Sequence, residues 1–291
     1  MGLNDFFRLL RVEQWYKNII IFISLIFSFN LFNKELFISI FLGFISLCLI
    51  SSSYYIINDL NDIKKDKSHP EKKKRPLASG KIKPSTAILI SFILLNISLL
   101  MAYSLSKMFL LMISLLFLLS QIYTFFIRNT AFLDIIFIST NFVIRAISGT
   151  FIIQSPVSSW VILSTFFLSS FLVSSKRTIE ISSNFSKEYR KSYGPEDKKV
   201  LEVLSMMSIT LVFVFFSVYS VLNENPLLLL SLPVAIYIIL LFFREAHLNP
   251  EKIRNPEKFI LEKRTLIAII IWLIIVVSVF YGPNLLEKLM R

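Results

Sequence analysis

Nine apolar runs divide this chain, and each is long enough to cross the roughly 30 Å hydrocarbon core of a bilayer. Hydrophobic residues make up 55% of the 291 residues and glycine contributes only 6, a composition too apolar for a soluble globular protein. We therefore predict an all-α polytopic membrane protein with nine transmembrane helices. The predicted spans cover residues 18–33, 36–57, 84–104, 107–127, 131–153, 158–175, 201–222, 226–243 and 265–283.

Basic residues concentrate on one side of these spans. With the amino terminus inside, 26 of the 31 Lys and Arg residues fall in inner segments, mainly in loops near 58–83, 176–200 and 244–264. By the positive-inside rule, this distribution predicts that the amino terminus and the working face are cytoplasmic. We predict a single domain, residues 1–291, in the cell membrane. The net charge of +12 then reflects topology. Because the basic loops lack interleaved aromatic residues, we expect no nucleic-acid partner.

The segment NDLNDIKKDKSHPEKKKRPLASG, residues 58–80, follows the second span and carries three aspartates. Asp59, Asp62 and Asp66 are spaced i, i+3 and i+7, which places their carboxylates along one face of a helix. Pro70 predicts that this helix ends after Asp66 and before the proline. Mg²⁺ is commonly held by one or two carboxylates and substrate phosphates, so the stripe beside the basic KKKR run suggests a Mg²⁺-bound diphosphate. The alternative is a solvated helix of mixed charge next to the membrane.

Ionisable residues inside spans are costly, by about 2.5–3.5 kcal/mol at a helix centre, and therefore indicate function or a buried partner. Arg145 is the clearest example, as a phosphate ligand or as a structural partner across the helix bundle. Asp134 lies about three helical turns earlier, so both side chains can face one cavity. Asn141, one turn before Arg145, can share that face. Asp134 also begins its span, where an acidic residue is favourable without any function.

Two further polar groups are candidates for substrate binding. The amino-terminal motif RVEQWYKN places polar residues at spacings of three and four, on one face of a helix. Its Lys17 and Asn18 are predicted either to bind substrate or to reach the membrane interface as snorkelling side chains. Tyr123 and Arg128, at the inner end of the fourth span, are candidates for the same site or for interface anchors.

These motifs resemble the UbiA-type membrane prenyltransferase superfamily. The pattern NDxxDxxxDxxHPxKxxRPxASG is similar to the first aspartate-rich motif of that superfamily. Three more motifs resemble its polyprenyl-phosphate phosphoribosyltransferase branch: RxxQWxKN at the amino terminus, DIIxxxxxFVIRAISG in the fifth span and KRxxE at the end of the sixth. Prenyl-diphosphate users in the superfamily carry a second DxxxD-type motif where this chain reads KRTIE, residues 176–180.

The resemblance implies nine helices around a central cavity open to the cytoplasmic side. It implies transfer of 5-phosphoribosyl from 5-phosphoribosyl 1-diphosphate to a polyprenyl phosphate, with Mg²⁺ as cofactor. The metal and the diphosphate are then expected at the catalytic residues Asp59, Asp62 and Asp66, with Asn58 beside them. Glu180 is expected to orient the neighbouring lysine–arginine pair or a ribose hydroxyl. Phosphate-binding roles are implied for Lys17, Arg75, Arg145, Lys176 and Arg177.

Two alternative functions belong to different classes. An aromatic polyprenyltransferase using polyprenyl diphosphate is the runner-up, and it requires a second aspartate motif that the sequence lacks. A non-enzymatic transporter or lipid flippase would require inverted repeats or paired broken helices, whereas the one clear interruption lies near Pro233. We therefore favour the phosphoribosyltransferase.

Overall fold

The computed structural model describes residues 2–70, 72–182, 192–222 and 226–289, with side chains described up to residue 282. Every regular element in these ranges is helical. Four short non-α segments occur: 3₁₀ helices at Val12–Phe22, Lys72–Lys74 and Pro226–Ser231, and a π turn at Tyr123–Ile127. The α-helices are α1 (Leu3–Leu10), α2 (Ile23–Phe27), α3 (Lys34–Ser68), α4 (Pro84–Leu105), α5 (Lys107–Ile122), α6 (Leu133–Ile152), α7 (Ser159–Ser182), α8 (Asp197–Leu222), α9 (Leu232–Leu248), α10 (Pro250–Arg254), α11 (Pro256–Ile260) and α12 (Lys263–Leu289).

Within the described part of the chain, 8 helices are long and apolar enough to cross a membrane. They are α3, α4, α6, α7, α8 and α12, together with α5 extended by the π turn and α9 extended by the 3₁₀ helix before it. This confirms the predicted all-α membrane class. The predicted count of nine is not reached among these residues.

The missing helix is the first predicted span, residues 18–33. Its residues form the end of the 3₁₀ helix Val12–Phe22, then α2 of 5 residues, then a turn. A 3₁₀ helix rises about 2 Å per residue and is thinner than an α-helix, so it can pass close to a neighbouring helix. Here Gly149 provides that close approach, since a Cβ at this position would lie 2.7 Å from the carbonyl oxygen of Ile21.

The residues form two compact units, which we describe separately. The first contains Met1–Arg128 and Thr140–Ser158, and the second contains Asn129–Ser139 and Ser159–Arg291. Helix α6 contributes residues to both units. The predicted single domain over residues 1–291 stays a prediction.

In the first unit, α3 and α4 are joined by two pairs of buried serines. The hydroxyls of Ser46 and Ser98 lie 3.0 Å apart, and those of Ser53 and Ser91 lie 2.9 Å apart. Each hydroxyl also bonds the backbone carbonyl of its partner residue. Small residues at helix interfaces allow membrane helices to approach closely, and their hydroxyls add interhelical hydrogen bonds. These pairs fix the register of α3 against its neighbour.

Helix α3 carries the aspartate stripe out of its apolar span. The Asn33 side chain caps its start by accepting hydrogen bonds from the backbone N–H groups of Glu35 and Leu36. The helix ends at Ser68, which confirms the predicted end between Asp66 and Pro70. Beyond it, the chain turns back over the stripe through the short 3₁₀ helix Lys72–Lys74.

In the second unit, α7 packs against α8 through small polar residues and against α9 through aromatic rings. The hydroxyls of Ser175 and Ser205 lie 2.7 Å apart, and the rings of Phe171 and Phe242 are 4.8 Å apart. Two predicted inner loops are partly helical here. Helix α7 continues to Ser182, and α10 and α11 lie within 244–264. Residues 183–191 of the predicted loop 176–200 lie outside the described residues.

Candidate active site

The three aspartates share a buried face of α3, in agreement with their predicted spacing. Asp59, Asp62 and Asp66 are each 4% exposed or less. Burying a carboxylate is strongly unfavourable unless a cation or hydrogen-bond donors compensate the charge. The positions of three arginines show how this helix tolerates the stripe.

Arg75 joins the two ends of the stripe. Its Nη1 atom donates to Asp59 Oδ1 at 2.9 Å and to Asp66 Oδ2 at 2.6 Å. The short loop after α3 makes this possible, because it returns Arg75 to the helix that it has just left. Arg75 was predicted to bind phosphate, and the structure places it directly on the predicted metal ligands.

Arg11 was not predicted as a site residue, although it lies in the RVEQWYKN motif. Its guanidinium pairs with the Asp59 carboxylate through Nη2 and Nε, and it lies 4.9 Å from the centre of the Tyr55 ring. Arg11 ends α1 in the left-handed conformation at φ 50°, which is uncommon for a residue other than glycine. Burial alone would lower the pKa of Arg11, but the Asp59 charge raises it above its ordinary value.

The π turn after α5 positions a third arginine. Arg128 donates its backbone N–H to the carbonyl of Tyr123 at 2.8 Å, which closes the turn, and its side chain pairs with Asp62. Within the same turn, Thr124 donates to the side-chain oxygen of Asn58 at 2.6 Å. Turns of this kind often occur at functional sites. Asn58 and Arg128 therefore lie beside the aspartates of the predicted site, and Tyr123 begins the turn that directs Thr124 and Arg128 toward α3.

Lys72 lies in the same electrostatic environment. Burial lowers its pKa, and the neighbouring Arg75 lowers it further, while Asp66 partly offsets this. The sequence analysis placed Lys72 in the basic run beside the stripe, without a role of its own. Its position adds a fourth cationic group near the stripe.

The carboxylates fit a Mg²⁺ ion shared with a substrate better than an ion held by protein alone. Asp62 keeps one buried oxygen, Oδ1, without a hydrogen-bond partner. Among the described residues, no group of three or more His, Cys, Asp or Glu side chains is arranged to hold a metal. Mg²⁺ commonly takes only one or two carboxylates and completes its shell with phosphates and water. Asp62 is the best-placed direct ligand, and the prediction of three metal-binding aspartates stays a prediction.

Arg145 forms a second polar centre in the first unit. It is 5% exposed and donates to Asn18 Oδ1 at 3.1 Å, to the carbonyl of Asn141 at 3.1 Å and to the Tyr54 hydroxyl at 2.6 Å. All three acceptors are neutral. Tyr54 and Asp59 are five residues apart on α3, or about 7.5 Å along its axis. Arg145 is therefore a buried cation within two helical turns of the aspartate stripe.

Lys17 precedes Asn18, a residue of this centre, in the chain. It follows Tyr16 in the 3₁₀ helix, and its ammonium lies 5.8 Å from that ring. The adjacent Asn18 is 1% exposed and also contacts Ser51. Of this predicted pair, Asn18 is placed on Arg145, whereas the role of Lys17 stays a prediction.

The second unit holds a separate ionic cluster. Arg177 donates through Nε to Asp134 Oδ2 at 3.0 Å and through Nη1 to Glu180 Oε2 at 2.8 Å. Asp134 is completely buried, and it also accepts a hydrogen bond from the Tyr193 hydroxyl. Asp134 therefore orients Arg177 in this structure, and its predicted contact with substrate stays a prediction. Lys176 precedes Arg177 on the same helix.

Tyr193 is another residue that sequence analysis missed, as are Tyr54 and Thr124. Its oxygen accepts the backbone N–H of Phe132 at 2.8 Å while its hydroxyl donates to Asp134. Burial and the hydrogen bond to Asp134 raise the pKa of Tyr193 well above its ordinary value. No motif marks this residue, because its partners lie about 60 positions earlier in the chain.

Comparison with known proteins identifies relatives of this chain. Among characterised relatives, the decaprenyl-phosphate phosphoribosyltransferase of Mycolicibacterium smegmatis is 26% identical over 216 residues, covering 72% of this chain and 68% of that protein. The protein of the same name from Corynebacterium glutamicum is 29% identical over 176 residues, covering 59% and 53%.

Two solved structures share the fold. A UbiA homolog from Archaeoglobus fulgidus bound to GPP and Mg²⁺ aligns with a TM-score of 0.67 at 22% identity, covering 95% of this chain and 99% of that one. A digeranylgeranylglyceryl phosphate synthase aligns with a TM-score of 0.68 at 17% identity, covering 96% and 99%. The profile of the UbiA prenyltransferase family matches residues 19–261, which is most of the chain. This integral membrane protein is therefore a transferase that belongs to the UbiA prenyltransferase family.

Proposed function

We propose that this protein is a Mg²⁺-dependent polyprenyl-phosphate phosphoribosyltransferase. It transfers the 5-phosphoribosyl group of 5-phosphoribosyl 1-diphosphate to the phosphate of a polyprenyl lipid. The observation that carries this proposal is the buried stripe in which Asp59, Asp62 and Asp66 alternate with arginine side chains. Such an arrangement suits a substrate that brings both a divalent cation and several phosphate oxygens. The relatives named decaprenyl-phosphate phosphoribosyltransferase support the same activity.

The arginines on the stripe have a direct role in the departure of diphosphate. As the bond between ribose C1 and the diphosphate oxygen breaks, its electron pair goes to the diphosphate, whose charge becomes more negative. Arg11, Arg75 and Arg128 are positioned to donate to that group, and such donors are most effective when they are already oriented. Asp62, with Asp59 and Asp66, would hold Mg²⁺, which when bound supplies Lewis-acid stabilisation of the leaving group.

The acceptor needs no strong base. A lipid monophosphate is largely ionised near neutral pH, so one of its oxygens can form the new bond to ribose C1 directly. Arg145 and Arg177 are the cations that we assign to phosphate groups of the two substrates, because both are buried and held in fixed orientations.

At the KRTIE segment, basic residues stand where prenyl-diphosphate users carry a second metal-binding motif. This favours a monophosphate lipid over a lipid diphosphate. Because the basic residues concentrate in the loops that flank the site, we assign the site to the cytoplasmic side of the cell membrane.

A transfer assay tests the proposal. The purified protein would be incubated with ribose-labelled 5-phosphoribosyl 1-diphosphate and a polyprenyl phosphate, with Mg²⁺ or with EDTA. We expect lipid-soluble label only with Mg²⁺. Absence of transfer, together with prenylation of an aromatic acid from polyprenyl diphosphate, would overturn the proposal and establish the aromatic polyprenyltransferase.

A further inference from the structure

Besides Asp62 Oδ1, two buried side-chain atoms in the described part of the first unit lack a hydrogen-bond partner, and no role has been given to either atom so far. They are Oδ1 of Asn141, a residue only 8% exposed, and Nε2 of Gln121. A buried polar atom without a partner costs about 1–3 kcal/mol of stability. Native proteins contain few such atoms, and each requires an explanation.

The contacts of α6 place Asn141 beside the aspartate end of α3. At one end of α6, Ile152 lies against Gly43, and seven residues earlier Arg145 contacts Tyr54. The two helices therefore run in opposite directions. Asn141, one turn before Arg145, falls about one turn beyond Tyr54, at the level of Asn58.

The contacts of α5 place Gln121 in the same region. Phe109 lies near Gly43, Thr124 bonds Asn58, and Arg128 pairs with Asp62, so α5 runs in the same direction as α3. Gln121, three residues before Thr124, therefore lies near the level of Tyr54 and Tyr55. Along the axis of α3, Gln121 therefore lies at the level at which Arg145 contacts Tyr54, and Asn141 lies about one turn closer to the aspartate stripe.

If the stripe binds the diphosphate of the donor, a group attached to that diphosphate can extend along α3 to this level. A prenyl chain there would leave both polar atoms unpaired. A sugar hydroxyl can donate to Asn141 Oδ1, and another can accept from Gln121 Nε2. We propose that Asn141 and Gln121 form a hydroxyl-recognition subsite that selects a glycosyl diphosphate, and rejects a prenyl diphosphate, as the donor. The inference rests on the proposed function and identifies the residues that determine its donor specificity.

The test uses apolar side chains of similar size, Asn141→Leu and Gln121→Met. Replacing a buried polar group that has no partner removes its desolvation penalty of about 1–3 kcal/mol. We therefore expect the Tm of each ligand-free variant to equal or exceed that of the wild type. We expect the KM for 5-phosphoribosyl 1-diphosphate to rise at least tenfold. The KM for polyprenyl phosphate and the inhibition by Mg²⁺-diphosphate should be unchanged, since neither ligand carries the sugar.

Asn96→Leu is the matched control, because Asn96 is exposed on α4 and its side chain donates to the Phe92 carbonyl of the same helix. A lower Tm in the two site variants would show that these side chains are structural and overturn the inference. A wild-type KM for the donor in both variants would do the same. If the wild-type protein itself transfers no ribosyl label, the proposed function fails, and the inference fails with it.

Discussion

Arg145 donates to the hydroxyl of Tyr54 at 2.6 Å, so this buried guanidinium is held by an oxygen that carries no charge. Its other acceptors are also neutral, and no carboxylate pairs with it in the described part of the chain. Burying a cation without a counter-charge is unfavourable. A bound anion would compensate the buried positive charge of Arg145. The arrangement therefore agrees with a phosphate-binding role.

Replacing Arg145 with methionine should separate function from stability. Because the substitution removes an uncompensated charge, we expect the Tm to stay the same or rise. Transfer activity should fall by about 100-fold or more, the usual effect of losing one oriented charge-stabilising donor. Thermal unfolding and kcat/KM measurements check both expectations. A Tm several degrees lower would instead indicate that Arg145 mainly holds Asn18 and Tyr54 in place.

Asp62→Asn should remove metal binding while leaving the fold intact. The amide keeps a hydrogen-bond acceptor for Arg128 but removes the charge that attracts a divalent cation. We expect the affinity for Mn²⁺ in the presence of diphosphate, measured by electron paramagnetic resonance, to fall at least tenfold. Asp5→Asn is the control, since Asp5 forms an ion pair with the exposed Lys81 far along the sequence from the stripe. Equal Mn²⁺ affinity in both variants would exclude Asp62 as a ligand.

Gly149→Ala should destabilise the protein. The added methyl group would lie 2.4 Å from Ser24 Oγ and 2.7 Å from the carbonyl oxygen of Ile21, and the backbone atom cannot rotate away. Overpacking of this kind costs about 1–3 kcal/mol. Because Gly149 lies one turn after Arg145, displacement of the 3₁₀ helix should also loosen the contact with Asn18. Gly282→Ala serves as the comparison, since nothing lies within 4 Å of its added methyl group. Equal thermal stability in the two variants would contradict this interpretation.

Tyr193→Phe should lower stability in a pH-dependent way. The hydroxyl bonds Asp134, and a hydrogen bond to a charged group contributes about 1.5–3 kcal/mol. The folded state raises the pKa of Tyr193, so its contribution is complete below about pH 10, the ordinary tyrosine value. It is lost as the pH rises through the folded-state pKa. Thermal unfolding should therefore show a constant Tm difference from pH 7 to 9 and a smaller one at higher pH. A difference that grows with pH would contradict the assignment.

Local patterns in the sequence predicted the stripe well. The spacing of Asp59, Asp62 and Asp66 and the position of Pro70 determine a shared helical face and a helix end, and both depend on neighbouring residues alone. The first span, residues 18–33, stays a prediction, because an apolar run reports length and not helix type, and its first residues form a 3₁₀ helix. The 3₁₀ path between Val12 and Phe22 depends on packing against Gly149, more than a hundred residues away.

Long-range pairs explain the residues that were missed. Arg11 reaches Asp59 across 48 positions, and Tyr193 reaches Asp134 across 59. Neither partner is visible in one sequence without the fold. Arg128 had two interpretations because only the π turn at the end of α5 directs its side chain to Asp62.

A doubly labelled donor tests the central claim most directly. The wild-type protein would receive 5-phosphoribosyl 1-diphosphate carrying one label in ribose and another in the β-phosphate, together with polyprenyl phosphate. We predict that ribose label enters the lipid fraction while an equal amount of β-phosphate label is released as diphosphate, and that both require Mg²⁺. Ribose label that stays in the aqueous fraction, or β-phosphate label that enters the lipid, would contradict the proposed transfer.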